Sequence, residues 1–204
     1  MNPDTSFCYL RLAGAQRTWS NVHAALGAAQ PTLARHGIVP WGIWSGLFGL
    51  ASNELVLITS ARHDAQGTRV REALANVAAV VEQRLLQPTL RPTSTEALAL
   101  PGLYVFRFFD VMARDIDEFV ALSGRAWTTF ETAADYRSHP EGLFRPLDAG
   151  SVRSTMLLCT WYDGFESWRR SRTPAPAARA NFAARHALTL STWAIATQLV
   201  SAGS

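Results

Sequence analysis

Arginine is the residue whose placement most invites a chemical reading. Arg107 stands inside GLYVFRFF (102–109) and Arg11 inside FCYLRL (7–12), both otherwise apolar and β-rich runs. A guanidinium stays charged when buried and meets a carboxylate through two parallel N–H bonds, so an arginine facing a cavity would hold an anionic ligand. The competing role is structural: a pair with a carboxylate such as Asp110 or Asp163, or an exposed strand end. Aromatic pairs stand on or beside strands as well, Trp161 with Tyr162 and Trp41 with Trp44. Such rings suit the wall of a cavity for a planar apolar molecule and equally suit plain core packing. Adjacent strand residues face opposite ways, so only one of Trp161 and Tyr162 can face the open side of a sheet. His186, beside Arg185, is the histidine best placed to act as a base; His23, His36, His63 and His139 fall on a helix, in a turn or in a loop.

Other chemistries lack their signatures. There is no CxxC or HExxH spacing, no phosphate loop, no dinucleotide glycine pattern and no Ser/His/Asp order. GIWSG (42–46) mimics a nucleophile elbow without the surrounding α/β alternation that such an elbow needs. Cys8 and Cys159 lie in apolar runs, where a buried, reduced thiol is expected.

Periodicity supplies the elements that would position these groups. Phe7–Leu12 reads as a strand; Trp19, Val22, Leu26, Ala29 and Leu33 share one helical face, with Pro31 expected to bend or divide that helix and Gly37 to stop it. Ile38–Leu50 and Glu54–Ser60 read as strands, and Val70, Leu74, Val77, Val81 and Leu85 as a helix followed by a short extended piece at 88–92. The order then restarts. Gly102–Phe109 is a strand; Ile116, Phe119, Val120, Trp127 and Phe130 make a helical stripe; Leu143–Leu147 and Arg153–Trp161 are strands; 163–171 and 177–185 are helical around Pro174 and Pro176; and 187–200 is a β-rich finish. Thr59 and Thr160 end matching apolar runs about 100 residues apart.

The expected fold is therefore α+β: two tandem ferredoxin-like β-α-β-β-α-β repeats, with repeats at 1–96 and 102–204 and a linker at 97–101. A four-stranded sheet with helices on one side must bury its other face, either against the sister repeat or against a second chain. Of 204 residues, 48% are hydrophobic and 17% charged, with seven Trp. This is ample core material. The net charge of +3 comes from Arg alone, since the chain has no Lys, and with no basic block longer than Arg169-Arg170 it argues against nucleic acid as partner. No run approaches the length of a membrane span, and the first residues lack a leader pattern, so a cytoplasmic protein is expected.

Leu103–Trp127 resembles the opening of NIPSNAP domains, with Tyr104, Arg107, Phe108 and Phe119 at the matching positions; YLRLAGAQRTWSNV, with Tyr9 and Arg11, resembles it more faintly. TWYDGFESWRRS (160–171) resembles the strand-to-helix passage of antibiotic-biosynthesis-type monooxygenase domains, and both resemblances imply that the tandem repeats form a dimeric α+β barrel. The NIPSNAP resemblance implies a homodimeric protein without assigned reaction or cofactor. Its small apolar or aromatic ligand would sit between sheet and helices, against Arg107, Trp161, Arg11, Trp44 and Tyr104. The monooxygenase resemblance implies instead a cofactor-independent oxygenation of a small aromatic, with His186 as base. In haem-handling relatives of this group a histidine ligates iron, which makes haem binding a third expectation.

Overall fold

The computed structural model describes residues 5–62, 67–148 and 152–200. The turns at 63–66, with His63, and at 149–151 lie outside them. The fold is mixed α+β, with eight strands and five α-helices among the described residues: β1 (Thr5–Ala13), α1 (Ser20–Arg35), β2 (Val39–Phe48), β3 (Glu54–Arg62), α2 (Gly67–Leu74), β4 (Ala79–Pro88), β5 (Leu103–Met112), α3 (Ile116–Phe130), β6 (Ser138–Pro146), β7 (Arg153–Tyr162), α4 (Phe165–Ser171), α5 (Pro176–Ala187) and β8 (Thr189–Leu199). No helix among the described residues is long and apolar enough to cross a membrane.

Two compact units emerge, one of 1–87 with 93–100 and 195–204, the other of 88–92 with 101–194. In the first, antiparallel pairing runs β4-β1-β3-β2, and the end of β8 joins β2. In the second, β6 and β5 flank β7, and β8 follows β5. Both orders are the ferredoxin-like arrangement.

Each unit buries its helices on one sheet face. In the first, Cys8, Leu10, Leu12, Leu55 and Leu57 pack with Val22, Leu26 and Leu33 of α1 and Val70 and Leu74 of α2. In the second, Phe109, Val111, Met156 and Leu158 pack with Ile116, Phe119 and Trp127 of α3, a stripe at three- and four-residue spacing. The reverse face of the second unit carries Tyr104, Phe106, Phe108 and Phe144, all fully buried.

The two units match residue for residue along their strands. Thr59 pairs with Cys8 and Pro40; Thr160 pairs with Val105 and Pro140. In both, the register slips by one residue between this proline and a glycine two positions on, Gly42 or Gly142. The bulge aims the following aromatic back over the glycine, so a Cβ on Gly42 would run into the Trp44 ring and one on Gly142 into the Phe144 ring.

Two expected elements differ. The helix predicted to reach Leu85 ends at Leu74, and Val81 and Leu85 belong to β4. ANVAAVV carries β-branched residues whose apolar spacing fits either period, and pairing with β1 decides it. Pro31 does not divide α1, which runs from Ser20 to Arg35.

Candidate functional site

A cavity of about 480 Å³ opens between the sheet and the helices of the second unit. Alternation along β5 turns Val105, Arg107 and Phe109 toward it, and the antiparallel register brings Leu158, Thr160 and Tyr162 of β7 beside them. Trp127 and Phe130 of α3 form one wall, and Arg179, Phe182, Arg185 and His186 of α5 form the roof. The roof stands off the sheet for a reason visible in sequence. α4 stops at Ser171, Pro174 and Pro176 break the chain, and α5 buries only Ala178, so no row of large side chains fills the space beneath.

Charge distinguishes this cavity. Arg107 and Arg185 are half-buried inside it, Arg172 and Arg179 are exposed at its mouth, and no lining residue is Asp or Glu. Arg107 makes no ion pair or side-chain hydrogen bond among the described residues. Asp110, the expected structural partner, accepts instead from Thr155 (2.7 Å) and Ser191 (2.6 Å). Burial, reinforced by the charge of Arg172, pushes the Arg107 pKa down. Burial and the charge of Arg107 bring that of Arg185 down to about 10. Arg185 is held by rings rather than carboxylates, its guanidinium lying 4.9 Å from the centroid of Phe109, 5.0 Å from that of Phe182 and 5.4 Å from that of Phe119. One of its N–H groups also reaches the Ser123 hydroxyl at 3.3 Å. Tyr162 completes the polar set. Burial raises its pKa, while a hydrogen bond with Ser171 and the charges of Arg107, Arg172 and Arg185 oppose that rise.

Beside the cavity, Arg91 lies 5.3 Å from the centroid of Trp127 and makes a two-pronged ion pair with Glu131, which also accepts from His139 Nδ1 at 2.8 Å. This cluster braces the Trp127 wall. Glu141, the bulged residue of β6, is half-buried, and its carboxyl is pushed up to about 7 by burial, which the charge of Arg91 only partly offsets.

Of the residues expected from sequence, Arg107 and His186 meet at this cavity. Trp161 and Tyr104 belong to the opposite face of the same sheet, where Trp161 Nε1 donates to the Pro101 carbonyl at 3.0 Å. Arg11 lies in the first unit between Glu54 (3.2 Å) and Glu82 (3.6 Å), which makes it a structural ion pair, and Trp44 is fully buried in that unit. Sequence reasoning named the pair Trp161 and Tyr162 but placed Trp161 at the ligand, and it missed the roles of Arg172 and the ring-packed Arg185. Parity with Arg107 would have selected Tyr162 over Trp161 once the register of β5 on β7 was known.

Haem does not fit these residues. A ligating imidazole is oriented by an acceptor on its second nitrogen. His186, the cavity's one lining histidine, is exposed and has no side-chain hydrogen bond among the described residues. Among the same residues no three of His, Cys, Asp and Glu cluster to hold a metal ion.

No family model and no curated protein matches the chain. Solved structures do match over nearly its whole length. An anthrone oxidase-like protein shares 15% identity over 100% of this chain and 95% of its own, with a TM-score of 0.64. A provisionally named monooxygenase from Lactobacillus acidophilus NCFM shares 14% over 97% and 93%, with a TM-score of 0.57. A substituted chlorite dismutase from Candidatus Nitrospira defluvii shares 6% over 99% and 93%, with a TM-score of 0.63. At such identities the likeness establishes the architecture and leaves the chemistry to the cavity.

Proposed function

We propose that the cavity of the second unit is the working site of a cofactor-independent monooxygenase-type enzyme that acts on a small aromatic substrate. The observation that carries this reading is the half-open cavity of about 480 Å³, walled by Trp127, Phe130 and Leu158 and supplied with arginines and a tyrosine from fixed strand and helix positions. A volume of that size accommodates a molecule of two or three fused rings. The names of two neighbours, a monooxygenase and an anthrone oxidase-like protein, agree with it.

In such a reaction the substrate is its own reductant. Removal of a proton from an activated ring carbon or hydroxyl gives an electron-rich anion, which passes electrons to dioxygen. One oxygen atom ends on the ring and the other leaves as water, so that an anthrone plus O₂ becomes an anthraquinone plus H₂O. The protein's part is to hold the ring, exclude bulk water, accept the proton and stabilise the anion. Arg107 and Arg185 supply the positive field, Tyr162 a hydroxyl beside it, and His186 at the mouth is the group placed to pass a proton to solvent.

The NIPSNAP-type alternative uses the same cavity to bind without reacting, and oxygen uptake separates the two. An oxygen electrode run with anthrone and hydroxynaphthalenes should show substrate-dependent consumption by the wild type, with water rather than hydrogen peroxide as co-product. Binding of the same compounds without oxygen loss would leave the non-catalytic reading in its place.

A further inference from the structure

The cavity's charge goes further than its shape. We propose that the ligand of this site is a planar aromatic acid, anionic before any reaction begins, whose acid group lies between Arg107 and Arg185 while its rings lie along Trp127, Phe130 and Leu158. The proposal deepens the reading above and rests on the cavity being the working site.

A phenol that ionises only in the course of reaction needs positive charge at that moment. Charge preorganised for that moment also stands in the resting protein, but an acid group pairs with both cavity arginines from the start and leaves neither unneutralised before reaction. Here Arg107 and Arg185 stand half-buried with mutual repulsion and no lining carboxylate to neutralise them, and Arg172 and Arg179 add to the field at the mouth. Desolvating a charge without a partner is costly, and a resident anion removes that cost. Arg185 packs among phenylalanine rings that offer no acceptor oxygen, and Ser123 takes a single N–H, so among the described residues the remaining guanidinium donors are left for an acceptor. A carboxylate or sulfonate accepts from such donors in pairs.

The first unit supplies an internal control. The residue matching Arg107 by strand register is Leu10: Leu10 pairs with Leu57 two positions before Thr59, as Arg107 pairs with Leu158 two positions before Thr160. Leu10 is fully buried among the residues of α1 and α2. The fold therefore accepts an apolar residue at this site of the repeat, and the arginine of the second unit answers to something other than folding. Tyr162 repeats the point, since its counterpart in the first unit is Ala61.

Two fluorescent probes that differ by one acid group test this: 1-anilinonaphthalene-8-sulfonate and its uncharged analogue N-phenyl-1-naphthylamine, titrated into the full chain. The wild type should bind the sulfonate at least tenfold more tightly than the neutral analogue. Arg107→Leu, which installs the first unit's residue, should remove that preference while leaving affinity for the neutral probe within twofold. Arg107→Gln, polar and closer in length, should do the same and covers the case in which the leucine variant fails to fold. Equal binding of both probes by the wild type, or an unchanged preference in a folded variant, overturns the proposal. A sulfonate preference lost with Arg107, in a protein that consumes no oxygen, keeps the anion site and removes the oxygenase reading. Oxygen uptake with neutral aromatics by a wild type that binds both probes equally keeps the oxygenase reading and removes the anion site.

Discussion

The two halves of this chain build the same strand-and-helix unit and put it to different uses. On the helix-covered face of the first unit, Cys8, Leu10, Leu12, Leu55 and Leu57 meet α1 and α2 and close the space between sheet and helices. At the matching positions of the second unit stand Val105, Arg107, Phe109, Met156 and Leu158, and the helix above them is displaced by the proline-broken passage after α4. The first face is closed core, whereas the second is core where α3 packs and a cavity with charged residues where α5 lies. A repeat of this kind separates what the fold needs from what a ligand needs: the Pro–x–Gly bulge and its overlying ring occur in both units, whereas Arg107, Tyr162 and the roof arginines occur in one.

That contrast can be broken on purpose. The largest effect should come from Leu10→Arg, which places the second unit's charge in the first unit's closed core. We expect a loss of about 3–5 kcal/mol in denaturant unfolding, or no folded protein at all, because Leu10 is fully buried among apolar side chains. Arg107→Leu, by contrast, should leave the unfolding midpoint unchanged or raise it. The shared bulge comes next. Gly42→Ala and Gly142→Ala each drive a methyl group into a fully buried ring, Trp44 or Phe144, and each should cost about 1–3 kcal/mol. Similar losses in the two variants would show that the device serves folding in both units.

A smaller, pH-dependent difference separates the bulged residues themselves, Trp41 in the first unit and Glu141 in the second. The Glu141 carboxyl holds its proton more tightly in the folded than in the unfolded chain, since burial raises it to about 7. The stabilisation this gives is fully present below the ordinary carboxylate pKa and is lost as pH rises through about 7. Melting curves between pH 5 and 8 should therefore fall more steeply for the wild type than for Glu141→Gln. The difference should be on the order of 1–2 kcal/mol, reduced from the full shift because the side chain is only half-buried. Smallest in stability is Tyr162→Phe. It gives up one hydrogen bond with Ser171, about 1 kcal/mol, yet should lower turnover of an aromatic substrate by about tenfold if the hydroxyl assists proton movement.

Much of this was legible in the residues. Continuous apolar, β-rich runs marked β1, β3, β5 and β7, the matched Thr59 and Thr160 revealed the repeat, and Arg107 stood out as a lone charge in an apolar run. What stayed hidden depends on register and on tertiary packing. Trp161 and Tyr162 are neighbours in sequence, and nothing short of the pairing of β5 with β7 says which of them shares a face with Arg107. Arg185 belongs to an alanine-rich helix of weak amphipathic pattern, and its packing on Phe109 and Phe119 joins it to residues far earlier in the chain, on β5 and α3. Arg11 looked like a twin of Arg107 in its local sequence. Glu54 and Glu82, which fix it as an ion pair, come from two other strands.

The claim that the site belongs to one unit is tested most directly by hydrogen–deuterium exchange across the whole chain, with and without saturating 1-anilinonaphthalene-8-sulfonate. The account predicts slower exchange in peptides covering 103–112, 153–162 and 171–187, and no change in those covering 5–13 and 54–62. Protection of the first unit's strands, or protection of neither unit, would contradict it.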